Sequence, residues 1–422
     1  MSNKHLEKDP SCKDDFDPKS LSAHAALEQI KASIKPVRGI EKIAIREALN
    51  RILAEDVRSR INVPSGANSA MDGYAVHGAA IPADGTAELT VLGTAWAGKP
   101  FAGSVTSENC VRIMTGAIMP EGADTVIIQE DVQVTETGII IDAATRAGDN
   151  VRQAGEDIAV GDLVLTQGRR LNPADIGLLA SLGIAEAPVV RRLRVAFFST
   201  GDELRSIGEP LSDGAIYDSN RYTLYGMLER MGADIIDMGV IKDDPNALEE
   251  AFAVAAANAD VLITSGGVSV GDADYIKDIL GKLGQVDFWK VAIKPGRPLA
   301  FGHVGDAVFF GLPGNPVSVM VTFYEFVQPA LRKMTGEDTT GALTLKARCD
   351  SHLKKRPGRV EYQRGVLQQD ADGNLTVVKT GAQGSGILTS MSQANCFIIL
   401  PIESSGIEPG MYVDIQPFSG LV

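Results

Sequence analysis

The chain of 422 residues is 44% apolar and carries a formal net charge of −14 at pH 7. This length and composition can bury several hydrophobic cores and indicate two to four domains. The acidic balance, with a sequence pI near 4.9, argues against nucleic acid and anionic membranes as general partners, because both would repel the protein. Any local cluster of lysine and arginine is therefore informative.

The cysteines and the N-terminus indicate the compartment. Cys12, Cys110, Cys349 and Cys396 are scattered and form no Cys-x-x-Cys pair, so neither a zinc site nor a disulfide framework is indicated. Reduced thiols are typical of cytosolic proteins. The polar segment 1–20 lacks the apolar centre of a signal peptide, and no apolar run is long enough for a membrane span. We expect a soluble, cytoplasmic protein.

Several elements are predicted before residue 190. Residues 1–17 are typical of a disordered tail. Helical spacing of apolar residues predicts a helix from Ser22 to Lys35 and a second short helix from Ile45 to Leu53. Residues 87–142 alternate apolar and polar with frequent glycines, as in a small inserted β domain. Asn172 to Ala180 predicts a helix that Asn172 caps.

From Arg194 onward, strands and helices alternate. The predicted strands are Val195–Ser199, Ile235–Ile241 and Val261–Thr264, and the helices between them are Asn220–Met231 and Ala247–Asn258. Such alternation predicts a parallel sheet with helices on both faces and ligands at the carboxyl ends of the strands. Four carboxylates follow these strands and are expected to meet at that edge: Glu203, Asp243, Asp272 and Asp274.

A glycine-rich loop, Ser265-Gly-Gly-Val-Ser-Val-Gly-Asp-Ala-Asp274, follows the third strand. The candidate substrate-binding residues of this loop are Ser265, Gly266, Gly267, Ser269, Gly271 and Asp272. Its glycines allow a tight turn and close approach to a ligand, and its amides can bind an anion. Asp272 and Asp274 would repel a phosphate without a divalent cation between them, which suggests Mg²⁺. The alternatives are a plain strand-to-helix connection and acidic residues that cap the helix.

Two further loops follow within about fifty residues. Lys290, Lys294 and Arg297 lie beside prolines in Trp289-Lys-Val-Ala-Ile-Lys-Pro-Gly-Arg-Pro298. A strand then ends in the turn Pro313, Gly314, Asn315 and Pro316, before a helical segment to Met334. Cations on constrained loops beside a glycine-rich turn describe a site for a phosphorylated anion. A solvated basic face is the alternative.

Short alternating runs over residues 340–422 suggest a small β domain or barrel. These runs are Arg359–Leu367, Leu375–Lys379, Cys396–Leu400 and Met411–Ile415. The whole chain is thus predicted to be a multidomain α/β protein with a central three-layer α/β domain and a mostly parallel sheet. The predicted domains are a helical, discontinuous N-terminal domain (18–53 and 143–190), an inserted β-rich domain (54–142), the α/β domain (191–336) and a C-terminal β-barrel-like domain (337–422).

Three motifs together resemble one family. They are Ser-Gly-Gly-Val-Ser-Val-Gly-Asp-Ala-Asp-Tyr, Lys-Pro-Gly-Arg-Pro and Gly-Leu-Pro-Gly-Asn-Pro-Val-Ser, and they resemble the molybdopterin molybdenumtransferases, comprising bacterial MoeA proteins and the E domain of gephyrin. The similarity covers essentially the whole chain after the first ~15 residues. It implies an Mg²⁺-dependent transferase of molybdenum cofactor biosynthesis. Such an enzyme inserts molybdate into adenylylated molybdopterin and releases AMP.

The resemblance adds site residues that local patterns leave open. It implies that Asp72, in Ser-Ala-Met-Asp-Gly-Tyr-Ala, Thr115 and Asp157 belong to the site, and that Arg364 and Ser385 face it. The local alternatives are an Asp-Gly hairpin turn at Asp72, a strand and turn around Thr115, and a solvated turn at Asp157. Arg364 and Ser385 could equally be ordinary surface residues.

The roles of these residues follow from the implied reaction. The catalytic candidates are Asp72, Thr115, Asp157, Glu203, Asp243 and Asp274. Of these, Glu203, Asp243 and Asp274 would bind Mg²⁺ on the phosphates or orient the attacking group. Lys290, Lys294 and Arg297 would supply fixed positive charge where two anions meet. Pro313 and Pro316 would shape the turn without taking part in the chemistry.

Two other functions are compatible with the pattern. The α/β domain resembles that of molybdopterin adenylyltransferases, although the additional domains weigh against that activity. A non-catalytic scaffold of the gephyrin E-domain type is the second alternative, against which the full set of charged residues argues. The resemblance further implies a homodimer, and the adenylyltransferase is a candidate partner.

Overall fold

The computed structural model describes residues 19–266, 273–338 and 341–418, and only the backbone of 273–275. Described residues up to Glu41 and from Val190 onward form one compact unit, here called the large unit, and Lys42–Val189 form the small unit. Within the described ranges, no helix is both long enough and apolar enough to cross a membrane.

Several helices begin at residues that cap their free amides. Ser22 accepts from the Ala25 amide, and Asn172 and Asp175 form a reciprocal capping box, each satisfying N–H groups that have no partner within the helix. The helices are α1 (Ala23–Ser33), α2 (Pro173–Ser181), α3 (Ser219–Met231), α4 (Pro245–Asn258), α5 (Ala273–Leu283), α6 (Pro316–Thr322), α7 (Gln328–Met334) and α8 (Leu388–Ser392). A π-helical turn, Phe323–Val327, joins α6 to α7.

The small unit is built mainly from strands. In chain order, the strands up to residue 190 are β1 (Ile40–Ala44), β2 (Val57–Arg58), β3 (Asn68–Ser69), β4 (Gly73–Val76), β5 (Thr86–Ala95), β6 (Asn109–Ile113), β7 (Thr125–Ile128), β8 (Gln133–Val134), β9 (Gly138–Asp142), β10 (Val151–Arg152), β11 (Leu163–Leu165) and β12 (Glu186–Val190). Six of them form a sheet in the order β7-β4-β6-β5-β9-β8. The expected small β region is confirmed.

The predicted helix from Ile45 to Leu53 is wrong. Only a single 3₁₀ turn, Ile45–Glu47, forms. Asn50 has a φ of 62°, a conformation that cannot continue an α-helix. Leu53 then pairs with Val189 through an isolated β-bridge. Backbone pairing with a distant segment therefore overrides the local helical spacing of apolar residues.

The large unit contains the predicted α/β layers. Its strands up to residue 312 are β13 (Arg194–Thr200), β14 (Leu204–Arg205), β15 (Ile216–Tyr217), β16 (Asp234–Ile241), β17 (Val261–Ser265), β18 (Gly284–Lys290), β19 (Ile293–Lys294), β20 (Pro298–Val304) and β21 (Ala307–Leu312). The central sheet has the order β16-β13-β17-β21-β20-β18. The first four are mutually parallel, and β20 and β18 are antiparallel to their neighbours.

Each face of this sheet is covered by helices. Because successive side chains of a strand point to opposite faces, Phe197 and Phe198 lie in different cores. Phe197 packs in the core that includes Leu224 of α3 and Ile30 of α1. Phe198 packs edge-on against Phe252 of α4, with ring centroids 5.3 Å apart. The prediction of a three-layer, mostly parallel α/β domain is confirmed.

The C-terminal region closes into a barrel. Its strands are β22 (Leu345–Cys349), β23 (Leu353–Lys354), β24 (Val360–Gln369), β25 (Leu375–Lys379), β26 (Cys396–Leu400), β27 (Gly406–Ile407) and β28 (Tyr412–Pro417). The sheet runs β24-β25-β22-β28-β26, and pairing of β26 with β24 closes it into five strands. β19 adds to β24 in parallel, with Lys294 opposite Glu361. The predicted C-terminal β barrel is confirmed.

The finer division into domains stays a prediction. Helix α1, assigned above to the N-terminal domain, contributes Ala26 and Ile30 to the core of the large unit. The boundaries at 53/54, 142/143, 190/191 and 336/337 remain those that the sequence suggests.

Candidate functional site

Six strand ends lie along one edge of the central sheet. Parallel pairing places Thr200 beside Ile241, and Ser199 beside Ser265. Ser265 lies beside Leu312. Since β20 is antiparallel to β21, its first residues lie at this edge, and Lys290 pairs with Pro298. Neighbouring strands are about 4.8 Å apart, so this row of strand ends, here called the site edge, is about 24 Å long.

Two predicted carboxylates lie at one end of the site edge. Thr200 Oγ1 donates a hydrogen bond to Asp243 Oδ1. Glu203 Oε2 lies 2.7 Å from the position that a Cβ atom would occupy at Gly201. Both carboxylates therefore lie at the end of β13, as topology predicts. Both residues are exposed, so a ligand in solution can reach them.

The other two predicted carboxylates follow β17 in the chain. Asp272 lies outside the described residues, as do Gly267, Ser269 and Gly271, and Asp274 lies in α5 with only its backbone described. Among the described residues, no group of three or more histidine, cysteine, aspartate or glutamate side chains could hold a metal ion. The prediction of a three-carboxylate magnesium site stays a prediction.

Gly266 lies at the centre of the site edge. Its φ is 94°, and an added Cβ would lie 2.5 Å from Thr200 O. Its amide donates to Leu312 O at 3.1 Å. Glycine is required here because an L side chain disfavours this conformation and would collide with the backbone of β13. The loop that begins at Gly266 therefore starts in close contact with the neighbouring strand ends.

The turn from Pro313 to Pro316 lies beside this glycine. A Cβ added at Gly314 would be 4.0 Å from Gly266 Cα. At the other side of the turn, the Val317 amide donates to Ser385 O at 3.0 Å. The turn thus contacts both Gly266 and a loop of the barrel. Within it, Pro313 is buried, and Gly314 and Asn315 are exposed.

The predicted cations lie at the opposite end from the carboxylates. Lys290 ends β18, and Arg297 immediately precedes β20, so both are at the site edge. Lys294 lies on β19, where its Nζ is 3.4 Å from Glu361 Oε2 of the barrel. Gly296, between Lys294 and Arg297, packs closely against α6. A Cβ atom added at Gly296 would lie 2.8 Å from Thr322 Cγ2. The three cations are on one constrained segment, as the prolines suggested.

Arg364 is buried in the barrel, with 1% of its surface exposed. Its Nε donates to Ser390 Oγ and its Nη2 to Gly384 O, each at 3.0 Å. Burial lowers the pKa of this guanidinium to about 10. The Glu361 carboxylate acts on this guanidinium electrostatically and partly offsets the effect of burial, although no ion pair with Arg364 is formed among the described residues. The alternative of an ordinary surface residue is wrong for Arg364.

A buried guanidinium whose hydrogen-bond partners are neutral is costly. The electrostatic interaction with Glu361 offsets only part of that cost, because the pKa of Arg364 stays lowered. Arg364 donates to the carbonyl of the residue before Ser385, and Ser385 in turn contacts α6 through its own carbonyl. Ser385 itself is half-buried. The pair therefore places a positive charge and a hydroxyl close to the Pro313–Pro316 turn.

Two other candidates meet within the small unit. Asp72 Oδ1 accepts hydrogen bonds from the Thr115 amide at 2.7 Å and from Thr115 Oγ1 at 2.8 Å. Both bonds lower the pKa of Asp72, and the bond from the backbone amide has the larger effect. Strand β4, which begins after Asp72, pairs with β6 and β7, so the hairpin interpretation is wrong. Asp72 is an ionised acceptor at an exposed position.

Asp157 is exposed, and its amide donates to Val63 O at 3.1 Å. The segment that precedes it runs beside β3, with Val151 opposite Ser69. These contacts fit a solvated turn as well as a site residue, so its assigned role stays a prediction.

Sequence reasoning missed Asn220. Its buried side chain donates to Ser265 Oγ and Gly314 O, which lie at two neighbouring strand ends. Its position next to Asp218 and Ser219 is typical of a helix start, which conceals the tertiary contact. A polar residue at the start of a helix that follows a parallel strand is the signal that could have identified it.

Three family models match consecutive parts of the chain. The MoeA N-terminal region (domain I and II) matches residues 21–183. The probable molybdopterin binding domain matches residues 196–333, which contain the central sheet and site edge. The MoeA C-terminal region (domain IV) matches residues 346–418, which contain the barrel.

Whole-chain relatives agree with these matches. The chain is 47% identical to a molybdopterin molybdenumtransferase of Haemophilus influenzae over 90% of this chain and 95% of the relative. It is 38% identical to one of a Nostoc species over 88% of this chain and 87% of that protein. A crystal structure of the molybdopterin biosynthesis MoeA protein from Pyrococcus horikoshii superposes with a TM-score of 0.84, at 30% identity over 95% of this chain and all of that one. The chain therefore belongs to the molybdopterin molybdenumtransferase (MoeA) family.

Proposed function

We propose that the protein is a molybdopterin molybdenumtransferase of molybdenum cofactor biosynthesis. It binds adenylylated molybdopterin and molybdate, inserts the metal oxyanion at the dithiolene sulfurs, and releases AMP as water cleaves the phosphoanhydride. The observation that carries this proposal is the site edge, where Glu203 and Asp243 lie at one end and Lys290 and Arg297 at the other. Family membership supports molybdopterin as a substrate, and the adenylylated form is what the resemblance implies.

The length of the site edge suits an extended ligand. Adenylylated molybdopterin has a ring system at each end of a pyrophosphate, so it can contact several strand ends at once. Gly266 and Gly314 bring backbone close to the middle of the row, where a pyrophosphate would accept hydrogen bonds from loop amides. Ser265, which ends β17, is at the same position.

The basic groups reduce the electrostatic repulsion between the two anionic substrates. Molybdate and pyrophosphate are both anions, and their approach is opposed unless fixed positive charge lies between or beside them. Lys290, Lys294, Arg297 and Arg364 supply this charge. Arg364 is held rigidly by Ser390 and Gly384, so little reorganisation is needed when an oxyanion binds next to Ser385.

Magnesium fits the donors at the acidic end. Mg²⁺ prefers oxygen ligands and commonly uses one or two carboxylates together with substrate phosphates, and Glu203 and Asp243 are exposed carboxylates at one strand end. With Asp274, they would hold the ion, which when bound neutralises charge on the pyrophosphate. The carboxylates of this chain also accept hydrogen bonds from the attacking water and so orient it.

Residues of the small unit are assigned to the reaction because of the resemblance to the family. Asp72, fixed by Thr115, is an ionised acceptor that can orient a donor group of the substrate. Asp157 is proposed as a second carboxylate that accepts hydrogen bonds from the substrate.

We also propose a cytoplasmic homodimer. Cys110, Cys349 and Cys396 are free and buried thiols, which is typical of proteins in a reducing compartment. The large unit exposes several large apolar side chains in the segment from β14 through α3, a feature of protein interfaces: Ile207, Leu211, Ile216, Tyr217, Tyr222 and Tyr225. The molybdopterin adenylyltransferase that makes the substrate is the candidate protein partner, and light scattering would report the mass of the particle.

One assay tests the activity. Purified protein, adenylylated molybdopterin, molybdate and Mg²⁺ should yield AMP and molybdenum-loaded pterin in equal amounts, and a chelator should stop the reaction until Mg²⁺ is restored. Consumption of ATP instead would identify an adenylyltransferase. Absence of either reaction in folded protein would favour a scaffold.

A further inference from the structure

One side-chain amide connects three segments of the large unit at the site edge. Asn220 is the second residue of α3. Its Nδ2 donates to Ser265 Oγ at 2.8 Å and to Gly314 O at 2.7 Å. Ser265 precedes the glycine loop, and Gly314 lies in the Pro313–Pro316 turn. Asn220 thereby fixes the distance between these two segments.

Helix α3 is a rigid support for this contact. Its N-terminus is capped by Asp218, which accepts from the Arg221 amide at 3.1 Å. Its inner face buries Leu224 and Leu228 completely in the main core of the large unit. Asn220 is itself only 9% exposed, so water competes poorly for its hydrogen bonds.

The geometry requires a carboxamide. Both partners of Nδ2 are oxygens, and one of them is a carbonyl, which can only accept. An aspartate has no proton to donate to Gly314 O when it is ionised, and serine or threonine offers a single proton. Among side chains as short as that of Asn220, only a primary amide supplies two donors from one atom. The residue type is therefore explained by the contact, and helix capping is already performed by Asp218.

The consequence lies in the backbone that faces the ligand. Gly266 and Gly314 approach each other closely, and the Gly266 amide is hydrogen-bonded to Leu312. A shift of either segment would change where their remaining polar groups point. Small displacements of positioned groups reduce catalysis by large factors, because the reaction depends on near-attack geometry.

We propose that Asn220 is a positioning residue for the transfer reaction, one that holds the start of the glycine loop against the Pro313–Pro316 turn without touching the substrate. This inference rests on the proposed function for its catalytic part. Its structural part, the coupling of the two segments, is independent of the substrate.

The test uses Asn220→Asp, which keeps the size of the side chain and removes both donated hydrogen bonds. Ser265→Ala removes one of the two acceptors. Asn258→Ala is the matched control, because Asn258 makes a single exposed bond, from its Nδ2 to Val254 O, on helix α4. Hydrogen exchange is followed in full-length protein for peptides that cover Val261–Ser265 and the Pro313–Pro316 turn. AMP release gives kcat and KM well below the unfolding temperature.

Asn220→Asp should accelerate exchange in both peptides and lower kcat roughly ten- to hundredfold, with a smaller change in KM. Ser265→Ala should have an intermediate effect, and the double variant should be no worse than Asn220→Asp, since both remove the same link. Asn258→Ala should match the wild type in exchange at these peptides and in kcat.

Unchanged exchange in Asn220→Asp would overturn the coupling, and faster exchange with a normal kcat would overturn the positioning role. Wild-type protein that releases no AMP while Asn220→Asp still accelerates exchange would support the coupling and refute the proposed function. The two failures are therefore distinguishable.

Discussion

The acidic and basic groups around the site edge are held in different ways. Glu203 and Asp243 are exposed, and Asp243 is held by a hydrogen bond from Thr200. Arg364 is buried, with two neutral hydrogen-bond partners and a lowered pKa. An exposed carboxylate costs the fold little and can change partners, whereas a buried guanidinium is desolvated in advance. The comparison suggests that Arg364 is pre-organised for an anion, whereas Glu203 and Asp243 adapt to their ligand.

Substitution of Arg364 should have the largest effect. Arg364→Met should lower the rate of molybdenum insertion by roughly 10²- to 10³-fold, the usual cost of removing one fixed charge or donor from an anion site. The free energy of unfolding should change by less than about 2 kcal/mol, because relief from burying a charge offsets the lost bonds to Ser390 and Gly384. AMP release and denaturant unfolding measure the two quantities.

Arg348→Met is the matched control for this experiment. Arg348 lies on β22 of the same barrel and pairs with Asp350 at 3.1 Å, with 38% of its side chain exposed. Normal activity is expected, since exposed ion pairs contribute little. A large loss of stability with normal activity in Arg364→Met would mean that the buried charge is purely structural.

Asp243→Asn should have the next largest effect. Loss of one carboxylate from the acidic end should reduce activity roughly ten- to hundredfold and shift the Mg²⁺ concentration for half-maximal rate upward. The unfolding midpoint should not change. Magnesium titrations of the steady-state rate provide the measurement.

The neighbouring acid offers a control. Asp244 caps α4 by accepting from the Ala247 amide at 2.9 Å, and asparagine caps equally well. Asp244→Asn should therefore retain wild-type activity and Mg²⁺ dependence. Equal losses in both variants would indicate a general charge effect in place of a specific site.

Glu325 provides a buried carboxylate for comparison with Glu203 and Asp243. It lies in the π-helical turn, and the Tyr362 hydroxyl donates to its Oε2 at 2.9 Å. Burial raises the pKa of Glu325 to about 7 from an ordinary 4.5, despite hydrogen bonds from Tyr362 and Gln416 that lower it. The folded protein thus binds this proton more tightly than the unfolded chain does.

The free energy of unfolding should therefore fall by about 3 kcal/mol between pH 4.5 and 7 through this group. Glu325→Gln, which can still accept from Tyr362, should lack that contribution. Denaturant unfolding across this pH range measures the difference between the two proteins. Parallel pH dependences for wild type and variant would contradict a raised pKa at Glu325.

The smallest effect is expected in the small unit. Thr115→Val removes the hydroxyl that donates to Asp72 but leaves the amide, which is the larger cause of the lowered pKa. The pKa of Asp72 should rise part of the way toward its ordinary value. NMR titration of the carboxyl carbon would measure this, and an unchanged pKa would show that the hydroxyl bond is not retained in solution.

The sequence predicts much of the large unit because its signals are local. Buried strands such as Val261–Ser265 and capped helices such as α4 are evident from composition, and parallel topology then implies that Asp243 and Ser265 share an edge. Register, barrel closure and burial are not local. For that reason Arg364 could not be distinguished from a surface residue, and Asn220 was interpreted only as the start of a helix. The same limit explains the wrong helix over Ile45–Leu53.

Equilibrium dialysis of molybdate against wild type, Arg364→Met and Asp243→Asn tests most directly whether the two kinds of charged group act on different parts of the reaction. The account predicts that Asp243→Asn binds molybdate as the wild type does and that Arg364→Met loses most of this binding, while both release AMP slowly. Wild-type molybdate affinity in Arg364→Met would contradict it.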